Sequence, residues 1–268
     1  MVGEAFCTND KVRKITFTGS TPVGRRLMAG AAGQIKRLGL ELGGNAPFIV
    51  FDDADLEAAV EGAIVSKFRN AGQTCVCANR IYVQCGIHDR FVALLSERVA
   101  ELRVGDGFAP ETRIGPLIEA RALEKVEAHI VDALDKGARL VVGGPRSVQE
   151  GLFFPPTIVT GVTQQMRVAR EETFGPLAAI FRFDTEEEAL GMANDTEFGL
   201  AAYLFTRDHA RIFRMGEALE YGMVGINTGL ISTELAPFGG IKQSGIGREG
   251  SRHGMDDYTE LKYLCLSV

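Results

Sequence analysis

The sequence predicts an α/β fold with a mainly parallel sheet. Strand and helix patterns alternate along the chain, which is the signature of strands joined by helical crossovers. The 268 residues, 46% of them apolar, suffice for a substantial core in one large or two modest domains. No repeat, low-complexity tract or flexible linker interrupts the alternation.

Val12–Thr18 alternates apolar and polar residues as a strand does, and Gly19-Ser20-Thr21-Pro22 then offers a turn, a cap and a first-turn proline for a helix. Arg37–Leu42 and Pro47–Phe51 are short strand-like runs. Asp52, Asp53 and Asp55 supply acidic caps to an amphipathic helix carrying Leu56, Val60, Ala63, Ile64 and Phe68 on one face. Arg80–Gln84 reads as strand, His88–Leu102 as helix, and Leu123, Val126, Ile130 and Leu134 mark a helix stopped by Gly137. Strands are expected at Leu140–Val142, Thr157–Thr160, Leu177–Phe183, Leu200–Thr206 and Met223–Asn227, with a helix at Asp208–Leu219. Lys262–Val268 reads as an apolar terminal strand whose edge seeks a partner, in this chain's own sheet or in another subunit.

Charge and composition exclude several functions. A net charge of −6 with no basic run argues against a nucleic-acid surface. The apolar stretches fall short of the ~20 residues of a membrane span, and the amino terminus lacks the pattern of a signal peptide. The expectation is a soluble, cytoplasmic protein. Cys7, Cys75, Cys77, Cys85 and Cys265 are odd in number and show no framework spacing, which fits a reducing compartment. The four histidines lie far apart and pair with no cysteine, so no metal site is expected.

Chemistry concentrates in two segments. Phe68–Cys77 places Cys75 in a small-residue turn at a helix end, where Ala71-Gly72-Gln73 allows close backbone approach and amide N–H groups aimed at a developing oxyanion. Glu41, in Glu41-Leu42-Gly43-Gly44-Asn45, is an isolated acid between apolar neighbours and beside two glycines. Partial burial raises such a carboxylate into the range of a general base. No histidine is paired with Cys75 locally, so a cysteine-protease arrangement has no support. Phe17–Gly24 sets a glycine turn before a helix N-terminus suited to anions, and Arg25-Arg26 in place of Lys-Ser/Thr rules out a P-loop.

These segments, with Glu171-Glu172-Thr173-Phe174-Gly175-Pro176 and Pro237–Gly245, resemble in order and spacing the aldehyde dehydrogenase family, most closely its succinate-semialdehyde branch. The resemblance implies that the Cys75 thiolate attacks an aldehyde to give a thiohemiacetal, with the oxyanion on the Cys75 backbone N–H, and that hydride passes to NAD or NADP. Water activated by Glu41 then hydrolyses the thioester. It implies cofactor contacts at Gly19, Ser20, Leu42, Glu172 and Phe174, with Glu172 on the nicotinamide ribose and Phe174 beside the ring. Arg69 matches an arginine holding the substrate's distal carboxylate, a task suited to a guanidinium, and Ser232 or its neighbour Thr233 matches an assisting hydroxyl. Cys77 is a redox candidate, since some relatives with a Cys-x-Cys pattern form a disulfide; here a short ring is strained.

The resemblance further implies a remnant of the Rossmann-like cofactor domain over residues 1–42, the catalytic domain over 43–243, and a return to the cofactor domain with an oligomerisation strand over 244–268. The early cofactor strands, the adenosine-side lysine and the oxyanion asparagine are expected in a portion absent here. A truncated chain around an intact catalytic domain is therefore expected, binding cofactor weakly and turning over little, from a homo-oligomer acting on a small aldehyde. The alternatives are a dehydrogenase for another carboxylated aldehyde such as glutarate semialdehyde, a cofactor-independent cysteine esterase, or a non-catalytic subunit.

Overall fold

The computed structural model describes residues 2–145 and 151–268. In chain order it comprises α1 (Val2–Thr8), β1 (Lys14–Thr18), α2 (Thr21–Ala31), β2 (Arg37–Glu41), β3 (Ala46–Val50), α3 (Leu56–Phe68), β4 (Ala78–Gln84), α4 (His88–Ala100), α5 (Ala120–Asp135) and β5 (Arg139–Val142). It continues through β6 (Thr157–Thr160), α6 (Arg167–Arg170), β7 (Leu177–Phe183), α7 (Glu186–Asn194), β8 (Phe198–Gly199), β9 (Ala201–Phe205) and α8 (His209–Ala218). The last elements are β10 (Met223–Ile226), β11 (Ile241–Lys242), β12 (Gly245–Ile246) and α9 (His253–Asp256).

The main sheet has seven strands in the order β10-β9-β3-β4-β7-β6-β5, parallel throughout except for the β5–β6 edge. Every residue of β3 and β9 is buried, because a parallel strand between helices has no solvated face. Phe48 stacks on Phe205 in the middle of this core. Helix α3 packs on α4, and α5 on α6, over the sheet. Asp55 caps α3 by accepting from the Ala58 N–H. Asp53 accepts from the backbone of Arg207 and Asp208, from the Thr206 hydroxyl and from Arg211, tying the start of α3 to the start of α8.

A second, three-stranded sheet has the order β1-β2-β12, with β2 parallel to β1 and antiparallel to β12. It carries its own small apolar cluster of Cys7, Ile15 and Ala31, separate from the main core. Helix α2 begins after Ser20, whose side chain makes no capping bond, with Pro22 in its first turn.

Of the two readings of the C-terminal run, completion of this chain's own sheet fails. Lys262–Val268 joins no ladder among the described residues, and Leu261, Tyr263, Leu264, Leu266 and Val268 are all exposed. An apolar run becomes a strand only against a free edge, and this chain brings none to it. Helix α3 also departs from a single apolar face: Gly62, Ser66 and Lys67 are buried with Ala59, Val60, Ala63 and Phe68, because both α4 and β4 pack on it.

Candidate active site

Glu41 is the last residue of β2, and the turn after it is held from several directions. Gly19 N–H donates to the Glu41 carbonyl, and Leu42 N–H to the Ser244 carbonyl. The buried Ser244 hydroxyl donates to the Gly43 carbonyl at 2.7 Å and accepts from Gly199 N–H at 2.9 Å. Gly44 N–H donates to Glu172 Oε1 at 3.0 Å. A Cβ on Gly44 would stand 2.6 Å from the Cys75 carbonyl oxygen, so only glycine lets the Glu41 turn close on the Cys75 loop.

The Cys75 loop owes its shape to an abrupt exit from α3. Asn70, Ala71 and Gly72 follow one another in the left-handed region, at φ 51°, 54° and 74°, which reverses the chain within a few residues. A Cβ on Gly72 would lie 2.2 Å from the Gly175 carbonyl oxygen, which locks the loop against the segment bearing Glu172 and Phe174. Phe174 is itself left-handed at φ 55°.

Glu41 and Cys75 line one cavity of about 520 Å³, together with Gly19, Ser20, Leu42, Glu172 and Phe174. The structure thus brings together both expected catalytic residues and all five expected cofactor contacts. Burial first, then the Glu249 carboxylate, raises Glu41 to about 8, against the pull of Arg248. Burial, then Glu172 and Glu41, pushes the Cys75 thiol up to about 11, while the backbone amides of Cys75 and Val76 favour the thiolate. Burial also raises Glu172, which Gly44 N–H, Lys125 and Lys67 oppose. Glu41 Oε2 is buried without a hydrogen-bond partner, a base with an open position.

Arg69 and Ser232 are exposed and do not line this cavity. Arg69 follows the last residue of α3, and Ser232 lies in a loop whose Gly229 abuts Gly62 of the same helix. Thr233 lines a separate groove with Ile231 and Phe238. Cys77 is buried, accepts from Lys67 Nζ, and is free, as are the other four cysteines. No cluster of metal-ligating side chains is present among the described residues.

Sequence reasoning missed the cavity wall from α5, where Arg121 and Lys125 sit one helical turn apart and line the cavity together with Glu172, on which the Lys125 charge acts. It also missed His129, whose Nδ1 meets Thr173 Oγ1 at 3.1 Å and whose Nε2 meets Glu171 Oε2 at 3.2 Å, flanking Glu172 on both sides. The i, i+4 spacing of Arg121, Lys125 and His129 was visible, but not which segment the helix would meet.

Known proteins resemble this chain over its whole length. The chain is 61% identical to Succinate-semialdehyde dehydrogenase [NADP(+)] GabD of Escherichia coli (strain K12), over 100% of this chain and 55% of that protein. It is also 61% identical to Glutarate-semialdehyde dehydrogenase of Pseudomonas putida, with the same two coverages. The crystal structure of succinate-semialdehyde dehydrogenase from Burkholderia pseudomallei superposes on 100% of this chain and 55% of that one, with a TM-score of 0.98 and 61% identity. The chain thus spans little more than half the length of the relatives it matches. Residues 1–264 match the model of the aldehyde dehydrogenase family, and the chain belongs to that family.

Proposed function

We propose that this chain carries the catalytic domain of an NAD(P)+-dependent dehydrogenase for ω-carboxylated aldehydes, succinate semialdehyde foremost. The observation that carries the reading is the convergence of Cys75, Glu41, Glu172 and Phe174 on one cavity. Relatives named for succinate and glutarate semialdehydes support a substrate with a distal carboxylate. Arg69 and Ser232 or Thr233 are proposed to hold that carboxylate when the substrate tail extends past α3.

The residues present suit a nicotinamide cofactor. Gly19 and Ser20 open the N-terminus of α2 on the cavity, where backbone N–H groups favour a pyrophosphate. Gly43 narrows the opposite wall, since a Cβ there would stand 3.0 Å from Glu172 Oε2. Leu42, Glu172 and Phe174 are proposed to seat the nicotinamide end, and the bound cofactor supplies a hydride acceptor for the aldehyde carbon. Within the chain, Cys75 Sγ forms the carbon–sulfur bond, and the amide of Cys75 receives the oxyanion. Because the resting thiol is protonated, its proton must leave as attack proceeds, and Glu41 is the nearby group raised enough to take it. Glu41 then passes that proton to solvent through the open cavity, and the regenerated carboxylate removes a proton from the water that cleaves the acyl group from Cys75.

We assign residues 1–42 to a cofactor-domain remnant, 43–243 to the catalytic domain, and 244–268 to a return segment. The separate β1-β2-β12 sheet and its own apolar cluster support that division. The exposed apolar side chains of Leu261–Val268 support a homo-oligomer, and the free cysteines a reducing, cytoplasmic compartment. A single monomeric mass by light scattering across a concentration series of the whole protein would remove the oligomer reading.

The deciding assay follows reduced-nicotinamide absorbance with succinate or glutarate semialdehyde and NAD+ or NADP+, beside Cys75→Ala. In the whole protein, Cys75-dependent reduction with the carboxylated aldehydes above an uncharged aldehyde is expected; equal rates for the two classes would overturn the substrate assignment. Cys75 and Glu41 both line the cavity within this chain, which favours a second, partial activity. An activated ester should be cleaved without cofactor by this chain and not by Cys75→Ala.

A further inference from the structure

Lys67 stands at the end of α3 with its side chain fully buried. Its Nζ donates to Asn79 Oδ1 at 3.0 Å and to Cys77 Sγ at 3.3 Å, so a buried ammonium meets an amide oxygen and a sulfur. Cys77 is 1% exposed, and its Sγ also faces the carbonyls of Lys67 at 3.4 Å and Ala78 at 3.6 Å. These contacts fix both side chains with the nitrogen already against the sulfur. The two residues bracket the loop that carries Cys75, one closing α3 and the other preceding β4.

We propose that Lys67 and Cys77 form a sulfenamide crosslink when the chain meets hydrogen peroxide, stapling α3 to β4 across the base of the Cys75 loop. In the first step the Cys77 thiolate sulfur attacks peroxide. A sulfur–oxygen bond forms, the oxygen–oxygen bond breaks, and the departing hydroxide takes a proton from the Lys67 ammonium and leaves as water. Sulfur loses two electrons and peroxide gains them, leaving a sulfenic acid beside a neutral amine. In the second step the Lys67 nitrogen attacks that sulfur. The nitrogen–sulfur bond forms, the sulfur–oxygen bond breaks, and hydroxide departs with the amine's proton as a second water.

The lysine is the better placed partner because it already contacts Cys77 Sγ, whereas Cys75 opens onto the cavity and an i, i+2 disulfide closes a strained ring. Burial pushes the Cys77 thiol up, while the Lys67 ammonium held against Sγ pulls it down and favours the thiolate that meets peroxide. The crosslink keeps Cys77 at a level of oxidation that thiols reverse and diverts it from sulfinic acid.

The test uses the intact chain and is independent of any enzymatic activity. After peroxide treatment and alkylation, it is digested with trypsin without reductant and mapped by mass spectrometry. Trypsin does not cut after a modified lysine, so the expected product is the 38–69 peptide joined to the 70–80 peptide. Its mass should be that of the 38–69 peptide plus the 70–80 peptide alkylated at Cys75, less two hydrogens; it should vanish with dithiothreitol, and the same crosslink should form in Cys75→Ser. Cleavage after Lys67, with a 70–80 peptide carrying an internal Cys75–Cys77 disulfide or a Cys77 sulfinic acid, would overturn the proposal.

Discussion

At the level of single residues, the neighbours of Cys75 set its resting reactivity against it. Burial, Glu172 and Glu41 together hold the thiol at about 11, so nucleophile and base are coupled through charge as well as through chemistry. Removing the Glu41 carboxylate should therefore act in two opposite directions. With Glu41→Gln, the pH midpoint of Cys75 alkylation by iodoacetamide should fall, on the order of one pH unit, because an anion beside the thiol is gone. Release of an acyl group from Cys75 should slow by roughly 10²–10⁴-fold, because the base is gone. In the unaltered chain that release should rise with pH and level off above about 8, where Glu41 is ionised. A lowered alkylation midpoint together with stalled turnover of an activated ester in Glu41→Gln would show both effects; an unchanged steady rate would remove Glu41 from the mechanism.

At the level of elements, the strands and long helices were legible because their signals are local. Apolar runs gave β3, β7 and β9, and Asp55 announced the start of α3. The backbone at Asn70–Gly72 was not legible beyond its glycine, since three consecutive left-handed residues, two of them with side chains, are imposed by what the loop packs on. Ser244, His129 and Lys67 were opaque for the same reason: each acts on a segment remote in sequence, and no spacing rule encodes that meeting. The terminal Lys262–Val268 run left its partner open, because a strand signal states an appetite for an edge without saying where that edge lies, and this chain's own sheets do not supply it. Gly72 is where the loop is tested most directly. Gly72→Ala combines a left-handed φ of 74° with a Cβ 2.2 Å from the Gly175 oxygen, so relief requires moving the Cys75 loop away from the Glu172 segment. A loss on the order of 3 kcal/mol is expected from urea denaturation, with weaker Cys75-dependent ester cleavage. A variant as stable as the parent would show that the loop is not held by that contact.

Across the whole molecule, two buried titratable groups pull stability in opposite directions with pH. Glu41 is raised from 4.5 to about 8, so its contribution is complete below 4.5 and is lost as pH rises towards 8. His129 is lowered from 6.5 to about 4, chiefly by burial and against the pull of Glu171, so its contribution is complete above 6.5 and is lost as pH falls towards 4. The first group stands at the end of the smaller sheet and the second on α5 over the larger one. The acid side is the sharper test, because the His129 ring is fully enclosed and its protonation also disturbs Thr173 and Glu171 around the cofactor segment. Between pH 6.5 and 4 the loss from this one group should be on the order of 3 kcal/mol. His129→Gln offers an amide to the same partners without the titration. Its urea midpoint should start lower at pH 7 yet decline less between pH 6.5 and 4 than the parent's. Parallel declines in the two chains would mean that the acid sensitivity lies elsewhere, and that His129 does not need to be neutral to hold the Glu172 segment in place.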